Sequence, residues 1–198
     1  MSETSWDSAY TTDSAPWDIG RPQPVFVELA DSGEMTSPIL DSGCGSGEHA
    51  LMLAERGMEV LGIDVAPTAI RRAQAKAAER GVRATFVVGD VLELDRLGRT
   101  FATVIDSGVF HTFDDPDRPR YVASLAAALR PGGILHLLCF SEHTPGEWGP
   151  RRVTQAELRA VFADGWQVER ITAAQFEVLP GIVREPPQAW LARIVGPP

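Results

Sequence analysis

Ile39-Leu40-Asp41-Ser42-Gly43-Cys44-Gly45-Ser46-Gly47-Glu48 decides the fold. A short apolar run ends at an acidic residue and passes into a loop with glycine at alternate positions. A helix-like segment follows, so the stretch predicts strand, tight turn and helix start. Glycine has no Cβ, so the turn lets backbone approach a ligand closely. A dinucleotide site has the spacing G-x-G-x-x-G after a strand. Here the third glycine, Gly47, comes one position early, and Glu48 stands where that spacing wants glycine. A carboxylate there would face a pyrophosphate. The turn therefore suits a nucleoside ligand without phosphates.

Outward from this turn, strands alternate with helices. Ile39 to Asp41 ends the first strand, Glu48 to Arg56 is a helix closed by Gly57, and Glu59 to Asp64 is the second strand. Pro67 to Arg80 reads as a helix with Ile70, Ala73 and Ala77 on its apolar face and Gly81 as its stop. Ala84 to Val88 and Phe101 to Ile105 are further strands. Asp117 to Arg130 is a helix broken by Pro131-Gly132-Gly133, and Ile134 to Phe140 is a strand apolar on both faces, hence central. Thr154-x-x-Glu157 is a capping box. Trp166 to Ile171 and Ala189 to Val195 complete the strands. Before the first strand, Val25 to Ala30 reads as a short helix after a polar tail. This alternation predicts a parallel α/β sheet with helices on both faces.

In such a sheet, ligands sit beyond the carboxyl ends of the strands. Asp41, Asp64, Asp90 and Asp106 fall at those ends. Asp64 can accept from both hydroxyls of a ribose. Asp90 can accept from an adenine amino group, with Val91 packing on the ring. Asp106 lies where an ammonium would sit. A single aspartate at a strand end is commonly a turn or cap residue, but four together after this turn favour a nucleoside that carries positive charge.

The 198 residues fit one domain with a lid, and 44% hydrophobic with 23% charged residues is ordinary for a globular protein. A net charge of −9 disfavours a nucleic-acid partner, which needs clustered Lys and Arg. Met1 to Ser14 lacks the apolar core of a signal peptide, and no apolar run approaches a membrane span. Cys44 and Cys139 have no metal-ligand company and read as reduced thiols of a cytoplasmic protein. The run Asp114-Asp115-Pro116-Asp117 reads as solvated or capping carboxylates, and no metal site is expected.

Asp41-Ser-Gly-Cys-Gly-Ser-Gly47, Gly62-Ile-Asp64, Gly89-Asp-Val91 and Arg130-Pro-Gly-Gly133 together resemble the ordered motifs of class I S-adenosylmethionine-dependent methyltransferases, over roughly residues 37 to 140. The resemblance implies a Rossmann-like, seven-stranded, mostly parallel sheet with the last strand antiparallel, and S-adenosylmethionine as cofactor. The contacts it implies are Gly43, Cys44, Gly45, Asp64, Val65, Asp90, Val91, Asp106 and Ser107. Ser42 departs from the apolar residue usual at its position.

A narrower likeness is to the thiopurine, thiol and halide methyltransferases and the bacterial heterocyclic toxin methyltransferases. It rests on Pro16-Trp-Asp-Ile-Gly-Arg-Pro-Gln-Pro24, Asp106-Ser-Gly-Val-Phe-His111 and Gly149-Pro-Arg-Arg-Val153. Those relatives cover the cofactor with N-terminal aromatic residues, and Trp6, Tyr10 and Trp17 match that spacing. An aromatic face attracts a cation such as a sulfonium. The implied organisation is a lid over residues 1–36 and a methyltransferase domain over 37–198.

The implied activity is methyl transfer to sulfur, nitrogen or oxygen of a small aromatic or heterocyclic acceptor by a monomer or homodimer, without nucleic acid or membrane. A nicotinamide-dependent reductase and a non-catalytic cofactor-binding module are the alternatives. His111 is the candidate catalytic base, with an acceptor contact or a structural hydrogen bond as its other readings. Phe110 and Trp148 are the candidate acceptor contacts, with Phe113 and Phe176 beside them. Arg151 and Arg152 are candidates for holding an anion. The acceptor lids are expected in residues 1–36, Glu142 to Arg152 and Ala173 to Gln188.

Overall fold

In the computed structural model, which describes residues 3–198, one seven-stranded sheet runs in the order β3-β2-β1-β4-β5-β7-β6. Its strands are β1 Ile39–Ser42, β2 Val60–Asp64, β3 Thr85–Val88, β4 Phe101–Ser107, β5 Leu129–Phe140, β6 Gln167–Gln175 and β7 Gln188–Val195. The first five are parallel, and β7 pairs antiparallel to both β5 and β6. Strand order reverses between β1 and β4, so a crevice opens beyond Ser42 and Ser107, where this architecture places its ligands.

Successive side chains in a strand point to opposite faces, and two cores follow from that. Leu40, Val104, Leu137 and Cys139 face one core, closed by α5 (Asp117–Ala128) and α6 (Gln155–Val161). Ile39, Ile105, Leu138 and Phe140 face the other, closed by α2 (Pro24–Asp31), α3 (Glu48–Glu55) and α4 (Pro67–Arg80). β4 and β5 are buried on both sides. Edge strand β6 is mostly exposed and carries Glu169 and Arg170, charges that discourage pairing with another chain.

Four features differ from the sequence reading. The polar N-terminal tail contains helix α1 (Glu3–Thr11). Tertiary contacts hold it: Asp7 accepts from the Thr68 amide (2.7 Å) and the Thr68 hydroxyl (3.1 Å) at the start of α4. Met1 and Ser2, the first residues of the expected lid, lie outside the described residues. Pro131-Gly132-Gly133 is not a break before β5. Pairing runs back to Leu129 opposite Phe101 with an irregular register, and Gly132 takes φ +69°. β6 reaches Gln175, paired with Gln188, so the expected lid from Ala173 shrinks to residues 176–187. A 3-10 segment, Val91–Leu97, follows β3 and was not expected.

Candidate active site

The turn after β1 is held from beneath. Ile63 O accepts from the amides of Gly43 (2.8 Å) and Cys44 (2.9 Å). Gly43, Gly45 and Gly47 have φ of +70°, +53° and +88°, a region that favours glycine. A Cβ on Gly43 would lie 2.1 Å from Val109 Cγ2, and one on Gly45 would lie 2.5 Å from the Tyr10 hydroxyl. The turn is thus a bare-backbone cradle pinched between two side chains.

Asp64 lies at the cavity wall beside this cradle. Its Oδ2 accepts from the Gly45 amide (2.8 Å) and its Oδ1 from the Ala66 amide (2.8 Å). Each oxygen keeps acceptor capacity for a ligand hydroxyl. Burial raises its pKa, against those amide bonds. The Gly45 amide, which a phosphate would need, is already occupied by a carboxylate. Glu48 also lines the cavity, and its carboxylate accepts from Lys76 (2.6 Å) and, at both oxygens, from Arg80 (3.0 Å each).

Further along the wall lie Asp90 and Val91. Asp90 Oδ1 accepts from the Leu92 amide (2.9 Å), capping the 3-10 segment. Above the cradle, Trp17 Nε1–H donates to the Tyr10 hydroxyl (2.9 Å), and the Trp6 and Trp17 rings meet edge to face at 5.4 Å. Burial, then the Asp64 charge, pushes the Tyr10 hydroxyl well above its ordinary pKa, so it stays protonated. Trp6, Tyr10, Trp17, Gly43, Cys44, Gly45, Asp64, Val65, Asp90, Val91 and Ser107 all line one cavity of about 1140 Å³.

The same cavity continues into an aromatic chamber of His111, Phe113, Phe140, Trp148 and Phe176. The Phe140 ring lies 4.8 Å from His111, 5.3 Å from Phe176 and 5.7 Å from Trp148. Phe140 joins the expected residues here; the sequence marks it only by its place at the carboxyl end of β5.

Several expected site residues sit elsewhere or are already engaged. Phe110 does not reach the chamber: it is fully buried, packed 5.8 Å from Phe162 with the Arg118 guanidinium over its ring at 4.8 Å. The 3-10 turn Phe110–Thr112 sends Phe110 to the core and His111 to the cavity. Asp106 does not line the cavity either. It is fully buried and accepts from the amides of Val109 (2.7 Å) and Phe110 (3.0 Å) and from the Tyr121 hydroxyl (3.0 Å). Burial raises its pKa to about 7, against those bonds. Because Tyr121 spends its proton on Asp106, the Ser42 hydroxyl donates to Tyr121 (2.8 Å), which explains a polar residue at position 42. Asp106 thus fixes the loop that carries His111.

His111 has one ring nitrogen already engaged. Its Nδ1 accepts from the Phe140 amide at 2.9 Å, so in the neutral ring the proton sits on Nε2, beside Gly108. Burial first, then Arg118 and Arg152, lowers its pKa to about 3, against a hydrogen bond to the Gly108 backbone. It is a neutral donor across the physiological range. Arg152 is also unavailable to an anion. It folds back onto the carbonyls of Trp148 (2.7 Å), Pro150 (2.8 Å) and Gly146 (2.8 Å), holding Trp148 in the wall. Arg151 lines the cavity but is paired with Asp115 and Glu157. Asp114 Oδ1 accepts from the Asp117 amide (3.1 Å) at the start of α5, a capping use. Among the described residues no group of three or more His, Cys, Asp or Glu is arranged to hold a metal, and no helix is long and apolar enough to cross a membrane.

Residues 39–133 match the family model described as a methyltransferase domain. The 2-heptyl-1-hydroxyquinolin-4(1H)-one methyltransferase of Mycobacteroides abscessus is 39% identical over 163 residues, 81% of this chain and 72% of that protein. The chain belongs to the class I S-adenosylmethionine-dependent methyltransferases. A solved structure from work on the conversion of a disulfide bond into a thioacetal group during echinomycin biosynthesis superposes on 99% of this methyltransferase and 93% of that chain, with TM-score 0.89 and 36% identity. The Burkholderia thailandensis 1,6-didemethyltoxoflavin-N1-methyltransferase, solved with bound 1,6-didemethyltoxoflavin and S-adenosylhomocysteine, shares the fold. Its TM-score is 0.77 at 20% identity, over 99% of this chain and 87% of that one. The cofactor of this methyltransferase is S-adenosylmethionine, and the bare cradle, the Asp64 carboxylate and the aromatic cover fit it. Membership sets aside the nicotinamide-reductase and non-catalytic alternatives: the chain is an S-adenosylmethionine-dependent small-molecule methyltransferase.

Proposed function

We propose that the acceptor is a flat heteroaromatic molecule, seated among Phe140, Trp148, Phe176 and His111, whose nucleophilic atom is electron-rich at neutral pH. The observation that carries this reading is the aromatic chamber opening directly from the cofactor cradle within one cavity of about 1140 Å³. That space admits a nucleoside and a bicyclic ring system together. Planar rings gain by edge and offset stacking on such walls, and the quinolone named for the Mycobacteroides abscessus relative is of that kind.

The cofactor supplies an electrophilic methyl on a sulfonium. The chain's part is alignment, which contributes roughly 7–11 kcal/mol when reactants are held in near-attack geometry. In this reading Asp64 accepts from the ribose hydroxyls, and Asp90 and Val91 hold the adenine. Ser107 and the backbone of Gly43, Cys44 and Gly45, with Val65, bound the rest. Trp6, Tyr10 and Trp17 close over the sulfonium as part of a lid that includes the described part of residues 1–36, above a domain from residue 37 to 198. His111 donates from Nε2–H to an oxygen of the acceptor and orients it, while Trp148 walls the chamber. No imidazole takes the acceptor's proton, so an acceptor ionised in solution reacts faster than a phenol with pKa of about 10.

An acceptor panel of N-hydroxyquinolones, heteroaromatic thiols, simple phenols and halide ions, read by mass spectrometry for the added methyl group, tests this. Fastest turnover of the bicyclic and heteroaromatic members is expected. Turnover confined to halides or aliphatic thiols contradicts it.

A further inference from the structure

Gln23 ties the cofactor cover to the acceptor wall. It is 3% exposed, and its side-chain amide makes two bonds to the backbone of one residue. The Glu177 amide donates to Gln23 Oε1 (2.8 Å), and Gln23 Nε2–H donates to the Glu177 carbonyl (2.9 Å). This reciprocal pair does the work of a strand bridge between segments 154 residues apart in the chain. Two further bonds join the same segments: Arg21 donates to the Glu177 carboxylate (2.9 Å), and the Leu179 amide donates to Pro16 O (2.9 Å).

The clasp reaches the cradle as well. The Gln23 amide donates to His49 Nε2 (3.0 Å), on the first turn of α3 directly after the glycine turn. Burial, opposed by Glu48, lowers the His49 pKa to about 4, so this ring stays a neutral acceptor. Upstream of Gln23, the Ser46 hydroxyl of the glycine turn donates to Asp18 (2.6 Å), and Trp17 and Tyr10 line the cofactor end. On the far side of the clasp, Phe176 precedes Glu177 and packs against Phe140 and His111 in the acceptor chamber.

We propose that Gln23 is a positioning residue that couples cofactor binding to the placement of Phe176. Ordering the segment from Trp17 to Gln23 over the cofactor sets residues 176–179, and so completes the acceptor chamber after the cofactor half. Two sites that share one structural element become energetically linked through it.

Amide hydrogen exchange on the full chain, with and without S-adenosylhomocysteine, reads this directly. In the unaltered chain the ligand slows exchange at Gly45 and Gly47 and also at Glu177 and Leu179, the latter by about tenfold. In Gln23→Leu the slowing persists at the glycine turn and is lost at Glu177 and Leu179. Gln23→Glu is isosteric, keeps the acceptor for the Glu177 amide and loses the donor. It shows a reduced response at Glu177 and Leu179, and serves if the leucine variant does not fold. In steady state either variant raises the KM of the acceptor more than that of S-adenosylmethionine. No ligand response at Glu177 and Leu179 in the unaltered chain, or an undiminished one in the variants, overturns the proposal.

Discussion

His111 shows how one hydrogen bond decides a role. With Nδ1 occupied by the Phe140 amide and a pKa lowered to about 3, the ring neither takes a proton from an acceptor nor titrates near neutrality. His111→Gln keeps a side-chain donor and is expected to retain more activity than His111→Ala. Losing a donor to a charged oxygen costs about 1.5–3 kcal/mol, roughly 10–150-fold in kcat/KM. The pH profile of kcat/KM, measured from about pH 5 to about pH 8, should follow the acceptor's ionisation and carry no limb near 6.5 from an enzyme imidazole. Such a limb, present in the unaltered chain and absent from His111→Gln, would restore the base. The position of His111 just past β4 was legible in the sequence. Its role was not, because the partner that caps Nδ1 lies 29 residues away. Phe110 departs from its expected place for a related reason: adjacent residues in a 3-10 turn point about 120° apart, and no spacing marks which one meets the cavity.

Among the elements, the turn from β1 to α3 bears the tightest constraint. Gly43→Ala places a methyl group 2.1 Å from Val109 Cγ2 at a φ of +70°. Loss of S-adenosylhomocysteine binding by calorimetry is expected, with a lower melting temperature. Adding Val109→Ala relieves the clash but not the backbone strain, so recovery is partial. Wild-type affinity in the single variant contradicts the cradle. Elements whose apolar period and caps agree were readable: α4 runs from Pro67 to Arg80 as its pattern demands, and α6 opens at the Thr154 capping box. α1 was not readable. A short polar helix has little intrinsic stability, and Asp7 docking on α4 carries no local signal. β6 was read short because the partner that extends it to Gln175 is Gln188, across a proline-rich loop.

For the whole molecule, buried titratable groups set an opposed pH dependence. Asp41 and Asp106, raised to about 8 and about 7 chiefly by burial, hold protons that the unfolded chain releases near 3.8. Their contribution is full below that value and is lost as pH rises through the folded values. His49, His111 and His136, lowered chiefly by burial to about 4, 3 and 4, refuse protons that the unfolded chain takes up near 6.5. Theirs is full above 6.5 and lost as pH falls. The two sets oppose one another between about pH 4 and 6.5, and above that only the carboxyl loss remains. The melting temperature should fall from about pH 6.5 to about pH 8, and less steeply in Asp106→Asn; a flat or rising curve in the unaltered chain contradicts this. At this scale the sequence disclosed the sheet and its crevice, since strand-end carboxylates and a glycine turn mark one sheet edge. The chamber was less visible, because residues 111, 140, 148 and 176 converge only in three dimensions. In the proposed reading Asp64 organises the cofactor half of the cavity. Isothermal titration of S-adenosylhomocysteine into the unaltered chain and Asp64→Ala measures that claim. One equivalent should bind the unaltered chain, and about 10–150-fold more weakly to the variant; equal affinities, or no binding to either at millimolar ligand, would contradict it.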